Sequence, residues 1–379
     1  MTDRLFRRRR AGAFTAPPRL LLPTALVLAF GPVALSAQPE APSDPPLDAV
    51  VDTATAEGPE AFPDLDAPFG PLRVAERNPL YHLFLTPTVR GSAVLGRGET
   101  RMALSTAYSN IFEYNASTTF LQIFDLERSS TVISLARGLG AGFEVGGVVG
   151  FQHNWGGFLD PAIQGLHELF GFPNADREKV QNGGFGIYLG SRSRTPEVFL
   201  DLPPGTGLEA PRVWAAWRAA GGARRAGELT FRTLVKLPFG DHRASSRTTD
   251  WAVEAAGRRS WGGTHLHLSA GVVRFGLPPR LEPIMRDGAW FGSVAVEQRV
   301  ADGIALLAQF FGGSRYAAGF GIDELDNLPL NLSLGGRGRF GDAWSWQVSF
   351  TEDVPPNSPS VDFTVDLMIA RSWSPGMDR

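Results

Sequence analysis

The residues able to do chemistry are few and scattered. Six histidines occur (His82, His153, His167, His242, His265 and His267), and cysteine is absent, which removes thiol nucleophiles, thiolate metal sites and disulfides together. The one local constellation is His265-Leu266-His267-Leu268-Ser269. In an extended strand alternate residues share a face, so both imidazoles and the hydroxyl point the same way. A histidine near a serine is the pair used in acyl transfer, but the imidazole needs an acid or amide to orient it, and the sequence places none beside it. Two histidines at this spacing suit a metal, yet no further ligands are evident nearby. The stretch reads best as a polar patch on a strand. Glu352-Asp353 and the group Asp323, Glu324 and Asp326 could bind calcium or catalyse hydrolysis. Such acids are more commonly solvated loop residues. The many glycines fall in turns and strands and build no phosphate cradle. No catalytic residue, metal or cofactor is assigned.

The elements that must carry these residues are strands. Leu330-Asn331-Leu332-Ser333-Leu334-Gly335-Gly336-Arg337 puts leucines on one face and polar groups on the other. The stretches 344–351, 363–370 and 229–237 repeat the alternation, with Leu234 out of step in the last. About twelve such segments, each near the ten residues that cross a bilayer, run from residue 101 to residue 373. They fall at 101–112, 124–137, 143–152, 211–220, 227–237, 249–258, 264–275, 289–299, 304–313, 329–339, 343–352 and 362–373. Connections alternate strictly between long and short, as in outer-membrane barrels with periplasmic turns and external loops. A soluble sandwich shares the alternating faces but has no reason to sort its loops. A hairpin at 185–189 and 198–202, inside the longest loop (153–210), makes fourteen strands the alternative count. The fold class is therefore all-β: a transmembrane antiparallel up-and-down barrel. Aromatic residues near strand ends are expected to form interface girdles: Phe143, Trp217, Trp344, Trp346 and Trp373 on the periplasmic side, Phe112, Phe151, Trp251 and Trp290 on the outer side. Val, Leu, Ile and Ala are expected between them.

Composition agrees. The chain has 379 residues, 43% hydrophobic and 20% charged, with a net charge of −3, which gives no case for nucleic acid. The mean hydropathy of −0.07 is mild because only every second strand residue would meet lipid. Residues 1–37 read as a secretory signal, with Arg4 and Arg7 to Arg10, an apolar run from Leu20 to Leu35, and Ser36-Ala37 as the cleavage zone. An uncleaved anchor is the alternative, disfavoured because Pro23 and Pro32 shorten the run. Residues 38–66 are rich in Pro, Ala and acids and read as a disordered leader. The barrel domain takes residues 67–379, opening with a periplasmic segment, 67–100. Within it Asn78-Pro79-Leu80-Tyr81-His82-Leu83-Phe84-Leu85 is apolar and compact, and either plugs the periplasmic mouth or lies along the wall.

Parity assigns the interior. Glu144, Arg212, Arg218, Glu228, Arg232, Lys236, Glu254, Arg258, Glu297, Arg299, Arg337, Arg339 and Asp366 should line the lumen, with Arg101, Gln152, Gln309 and Gln347 beside them. Each charge would cost about 2–4 kcal/mol if it faced mid-bilayer lipid, so all must turn inward. Paired, they fill the barrel; unpaired, they line a wet pore with an anion bias. The filled or narrow version is preferred for a barrel of this size. In the longest loop, 160–171 has the marks of a helix. Asp160 is a cap, Pro161 suits the first turn, Gly171 is a stop, and Ala162, Ile163, Leu166, Leu169 and Phe170 share a face. This helix either packs on the rim or acts as a lid or constriction presenting Asp160, His167 and Glu168.

Five segments carry a family resemblance. They are Asn78-Pro79-Leu80, residues 157–171, Lys236-Leu237-Pro238-Phe239-Gly240-Asp241, Glu352-Asp353 and Asp362-Phe363-Thr364, spread over residues 75–373. Through them the chain resembles an uncharacterised family of Gram-negative outer-membrane proteins known only as a domain of unknown function. Phe239 stands where that family usually has a small hydroxylated residue. The resemblance implies an outer-membrane barrel and brings no activity. The His-x-Ser spacing is itself similar to the nucleophile strand of outer-membrane phospholipase, whose site lies at the outer lipid edge. The expectation is a narrow, porin-like transport channel or uptake barrel for small polar or anionic solutes in the cell outer membrane. It would contact lipid and lipopolysaccharide and be inserted by the barrel-assembly machinery. The alternatives are a lipid- or polymer-modifying hydrolase, and a non-conducting structural or envelope-assembly barrel, the last favoured if the lumen proves blocked.

Overall fold

The computed structural model describes residues 67–170, 180–222, 227–317, 319–354 and 361–374, with the side chains at 166, 167, 169 and 170 left aside. The signal and leader segments, 1–37 and 38–66, lie outside the described residues.

Twelve strands form the wall: β1 (Thr100–Ala116), β2 (Phe120–Gly140), β3 (Phe143–Trp155), β7 (Arg212–Gly221), β8 (Gly227–Lys236), β9 (Asp250–Trp261), β10 (Thr264–Arg274), β11 (Gly288–Ala301), β12 (Ile304–Gly313), β13 (Leu330–Phe340), β14 (Trp344–Asp353) and β15 (Phe363–Trp373). Each pairs antiparallel with its neighbours, and β1 pairs with β15 from Thr100↔Trp373 to Asn110↔Phe363, so the sheet closes into a cylinder. The expected strands match these to within four residues at either end. Three short strands lie outside the ring. β4 (Gly186–Ser191) and β5 (Val198–Asp201) form the hairpin expected in the longest loop and dock on the upper part of β2, and β6 (Gly205–Leu208) extends the pairing of β3. The count is therefore twelve rather than fourteen.

The turns are built as their sequences demand. Gly262, Gly303 and Gly341 take positive φ (55°, 70° and 60°) in the tight connections after β9, β11 and β13, a conformation that other residues adopt only with strain. One long loop differs from expectation. Between β1 and β2 only residues 117–119 remain as turn, because both strands continue past their other neighbours in the ring, to 17 and 21 residues.

The outer surface is apolar around the ring. Val348 pairs with Leu367, and Ile369, Leu104, Ile133 and Val149 follow in register across β15, β1, β2 and β3, all exposed. On β13 Leu330 and Leu334 are exposed while Asn331 and Ser333 are buried. The side chain of Leu234, out of step in the sequence, is buried with the lumen face of β8. Among the expected girdle residues, Phe143, Trp217, Trp344, Phe151, Trp251 and Trp290 are exposed, but Phe112 is buried, because the extended ends of β1 and β2 are covered on both faces. Rings also interrupt the expected aliphatic belt, with Phe231, Phe310 and Phe350 exposed.

Leu334→Arg should destabilise the folded barrel by about 2–4 kcal/mol, the cost of a cation on the mid-bilayer lipid face. Denaturant titration of the protein in phospholipid vesicles reads this directly; an unchanged midpoint would place Leu334 away from lipid.

Candidate functional site: a lumen filled by the N-terminal segment

Residues 67–99 occupy the barrel interior. The chain enters at the end of the barrel that carries the short turns, rises beside β11–β14, turns in the half nearer the long loops through a short 3-10 helix (Tyr81–Leu83), and descends along β8 and β3 to begin β1. Of the two expected placements, mouth or wall, neither describes it fully: the segment runs through the lumen.

Most polar groups assigned to the lumen by parity hold this segment. Arg337 donates to the carbonyl oxygens of Phe69, Gly70 and Pro71 at 2.6, 3.0 and 3.0 Å. Arg339 reaches Ala67 O at 3.1 Å and lies over the Phe69 ring. The Glu297 carboxylate accepts the Phe69 and Gly70 N–H groups at 2.8 and 3.0 Å. Asp366 faces Arg77 at 3.5 Å. Arg232 pairs with Glu254 and donates to Gly91 O at 2.9 Å. Glu228 accepts Ser92 Oγ at 3.0 Å, with Arg218 and Arg258 each 3.8 Å away. Glu144 accepts the Leu95 N–H at 3.1 Å and the Trp214 indole N–H at 2.9 Å. Arg299 is half-buried at the short-turn end, its N–H donating to Gly263 O in the turn between β9 and β10.

The tip is fastened in the outer half. Asp250 accepts the Leu85 N–H at 2.7 Å and the Gly276 N–H at 2.9 Å, and pairs with Lys236 at 3.2 Å. Arg128 donates to Arg77 O at 2.9 Å, and Ser246 N–H to Leu83 O at 2.9 Å. Glu209, just before β7, receives Ser130 and Arg212 and stands 3.4 Å from His82 Nε2. Above the tip an apolar cap forms from Phe199 and Leu200 of β5 with Leu281, Ile284, Met285, Tyr316, Phe320 and Leu325 of the loops. Tyr81 packs against Tyr316 and Phe84 against Phe275 in this cap, both with tilted rings. A cavity of about 30 Å³ beside Thr86, Pro87 and Glu254 has room for about one water.

The loop helix, α1 (Asp160–Phe170), is present. Asp160 accepts the Gly183 N–H at 2.8 Å, and Glu127 receives the Phe158 and Leu159 N–H groups just before the helix. Glu168 and Ala162 are exposed and Ile163 is buried, so Ala162 leaves the expected apolar face; the side chain of His167 lies outside the description. Ile163 does not join the apolar cap over the mouth.

Parity omitted several groups. Asp250 shares a face with Glu254, and Arg128 with Ser130, so alternation alone could have found both. Glu209 sits between strands, and Glu76, Arg73 and Arg90 lie on the irregular inner segment, where no period exists to read. His267 Nε2 meets Glu297 at 2.9 Å, an acid that sequence reasoning did not place there, while Ser269 bonds Ser293 at 2.8 Å rather than a histidine. Among the described residues no three His, Asp or Glu side chains converge on a metal-sized site.

The chain belongs to a family described as a protein of unknown function (DUF3187), whose model matches residues 59–371. No curated protein matches it. Among solved structures it is similar to the COG4313 outer membrane channel from Pseudomonas putida F1, at 12% identity and a TM-score of 0.49 over 74% of this chain and 98% of that one. It is also similar to the NanC porin, at 6% identity and 0.41 over 72% and 99%. The translocator domain of the autotransporter NalP from Neisseria meningitidis matches at 10% identity and 0.37 over 72% and 88%. Likeness at this level says nothing of solute or mechanism.

Two tests follow from the anchoring of the tip, both read from a spin label at Thr88→Cys in this otherwise cysteine-free chain. Asp250→Ala strands Lys236 as a buried unpaired cation, a change typically worth about 3–5 kcal/mol, and should mobilise the label while the barrel stays folded. Burial, the largest influence on His82, holds its pKa at about 4 against the raising effect of Glu209. An exposed histidine titrates near about 6.5, so the seated tip binds fewer protons than a withdrawn one. The seated state is therefore fully favoured above that pH and weakens as the pH falls towards 4. The mobile fraction should rise over that window and stay flat in His82→Gln.

Proposed function

We propose that the protein is an outer-membrane channel for small polar or anionic solutes, held shut by its own residues 67–99. The observation that carries this reading is how the inner segment is held. Backbone amides and carbonyls at 67, 69–71, 77, 85, 91 and 95 meet side chains of the wall or of its adjoining loops, among them Arg337, Glu297, Asp250, Arg232 and Glu144. A barrel filled only for stability would be served better by apolar packing, because charges taken out of water must each be compensated. A charged wall that exchanges its partners with water when the segment leaves is a polar pore in waiting. The orientation, with turns in the periplasm and loops outside, and the contact with lipid and lipopolysaccharide belong to the same reading.

The filled lumen also favours a second reading, a non-conducting structural or envelope-assembly barrel. The hydrolase alternative draws no support from Ser269, which faces Ser293, nor from Asp326, whose carboxylate accepts the Phe320 and Gly321 N–H groups of its own loop.

Planar-bilayer recording separates the two. The full chain should conduct rarely. A variant with residues 72–95 replaced by a short Gly/Ser bridge should show stepwise, sustained conductance with anion preference. If that variant folds as a heat-modifiable barrel and stays silent, the channel reading is wrong and the structural one stands.

A further inference from the structure

We propose that Arg73 and Arg90 form a binding site for a small oxyanion, a carboxylate or phosphate, in the periplasmic half of the lumen; as a solute site it deepens the channel reading and rests on it. The two residues lie on opposite legs of the inner segment. The Val89 N–H donates to Val74 O at 2.9 Å, so the legs run antiparallel and bring residues 73 and 90 side by side. Both residues keep part of their surface exposed, so the pair is not wholly sealed from water.

Among the described residues neither guanidinium has a hydrogen bond or salt bridge. Arg90 lies over the Trp214 ring, with Cζ 3.9 Å from the centroid, and its buried Nε has no partner. Arg73 is fixed through its backbone, its N–H donating to Gln347 Oε1 at 2.9 Å, which leaves the side chain unengaged. The neighbouring carboxylates are already used. Glu144 serves the Leu95 and Trp214 N–H groups, Glu254 serves Arg232, and Glu297 serves Phe69, Gly70 and His267. The other cations nearby are Arg232, which pairs with Glu254 and donates to Gly91 O, Arg101, which donates to Ser372 Oγ and stands 3.8 Å from Glu99, and Arg337, which is occupied by three carbonyls.

Two like charges held together out of bulk water favour a counter-anion. Burial, and then Arg101, pulls Arg73 down to about 10; burial, and then Arg73, pulls Arg90 below its ordinary value. A guanidinium keeps its charge at neutral pH, so a ligand rather than a proton shift is the means to relieve the pair. Planar guanidinium forks match the paired oxygens of carboxylates and phosphates, which sets the ligand class apart from halide.

Calorimetric titration of the full chain in detergent micelles, with inorganic phosphate and with succinate in separate runs, tests this without requiring conduction. One anion per chain should bind, and the arm with the tighter binding identifies the class. Arg73→Gln and Arg90→Gln should each weaken binding at least tenfold. Arg90→Lys, which keeps the charge and loses the fork, should weaken it less. Arg274→Gln, in an exposed pair with Asp287 outside the lumen, should leave it unchanged. Heat-modifiable migration confirms that each variant is folded, and Arg90→Lys carries the comparison if Arg90→Gln is not. Absence of binding for both anions, or binding indifferent to the Arg73 and Arg90 variants, overturns the site. A barrel that binds but never conducts keeps the site and loses the channel reading; one that conducts without binding does the reverse.

Discussion

In hydrocarbon, a backbone N–H or C=O without a partner costs several kcal/mol, and that constraint shapes this molecule. A sheet can meet it only by closing on itself. The pairing of β1 with β15 does so, and once the cylinder exists every strand must put one set of alternate residues to lipid and the other to the inside. The apolar register from Val348 through Leu367 and Ile369 to Leu104, Ile133 and Val149 is the outer consequence. The buried Arg232, Glu254, Glu297 and Arg337 are the inner one.

The inner consequence creates a second problem. Charges turned away from lipid lie too close together for bulk water yet must be compensated. Some pair across strands, as Arg232 does with Glu254 and Lys236 with Asp250. Several more are satisfied by a length of irregular chain, whose backbone offers amides to carboxylates and carbonyls to guanidiniums. Wall and inner segment are therefore complementary: Glu297 and Arg337, on adjacent sides of the rising leg, bind opposite poles of residues 69–71. The tip of that segment is sealed by apolar packing under the long loops, so the part near the short turns is held by polar contacts and the tip by both kinds.

The sequence carried the wall clearly and the contents poorly. Period-two alternation, the Gly-bearing turns and the sorting of loop lengths specify strands because each is a local property of the chain. Leu234 shows the limit of that logic. It looked out of step in sequence, but its side chain packs with the apolar cluster that includes Leu83, Phe84 and Leu85, a neighbour no local pattern reveals. The apolar run at 78–85 was visible, and its place was not. Arg73 and Arg90 were invisible as a pair, since only the backbone contact of Val74 with Val89 brings them together. The short turn at 117–119 was missed because β1 and β2 run on past their other neighbours in the ring, where they pair with each other and β2 pairs with β4.

The central claim is that residues 67–99 reside in the lumen, tied to the wall. Hydrogen–deuterium exchange of the full chain in lipid nanodiscs measures it most directly. The amides of Phe69, Gly70, Leu85 and Leu95, each donated to a buried carboxylate, should be protected nearly as well as those of the strands. Exchange of these amides at the rate of a free peptide, with the strands still protected, would contradict the account.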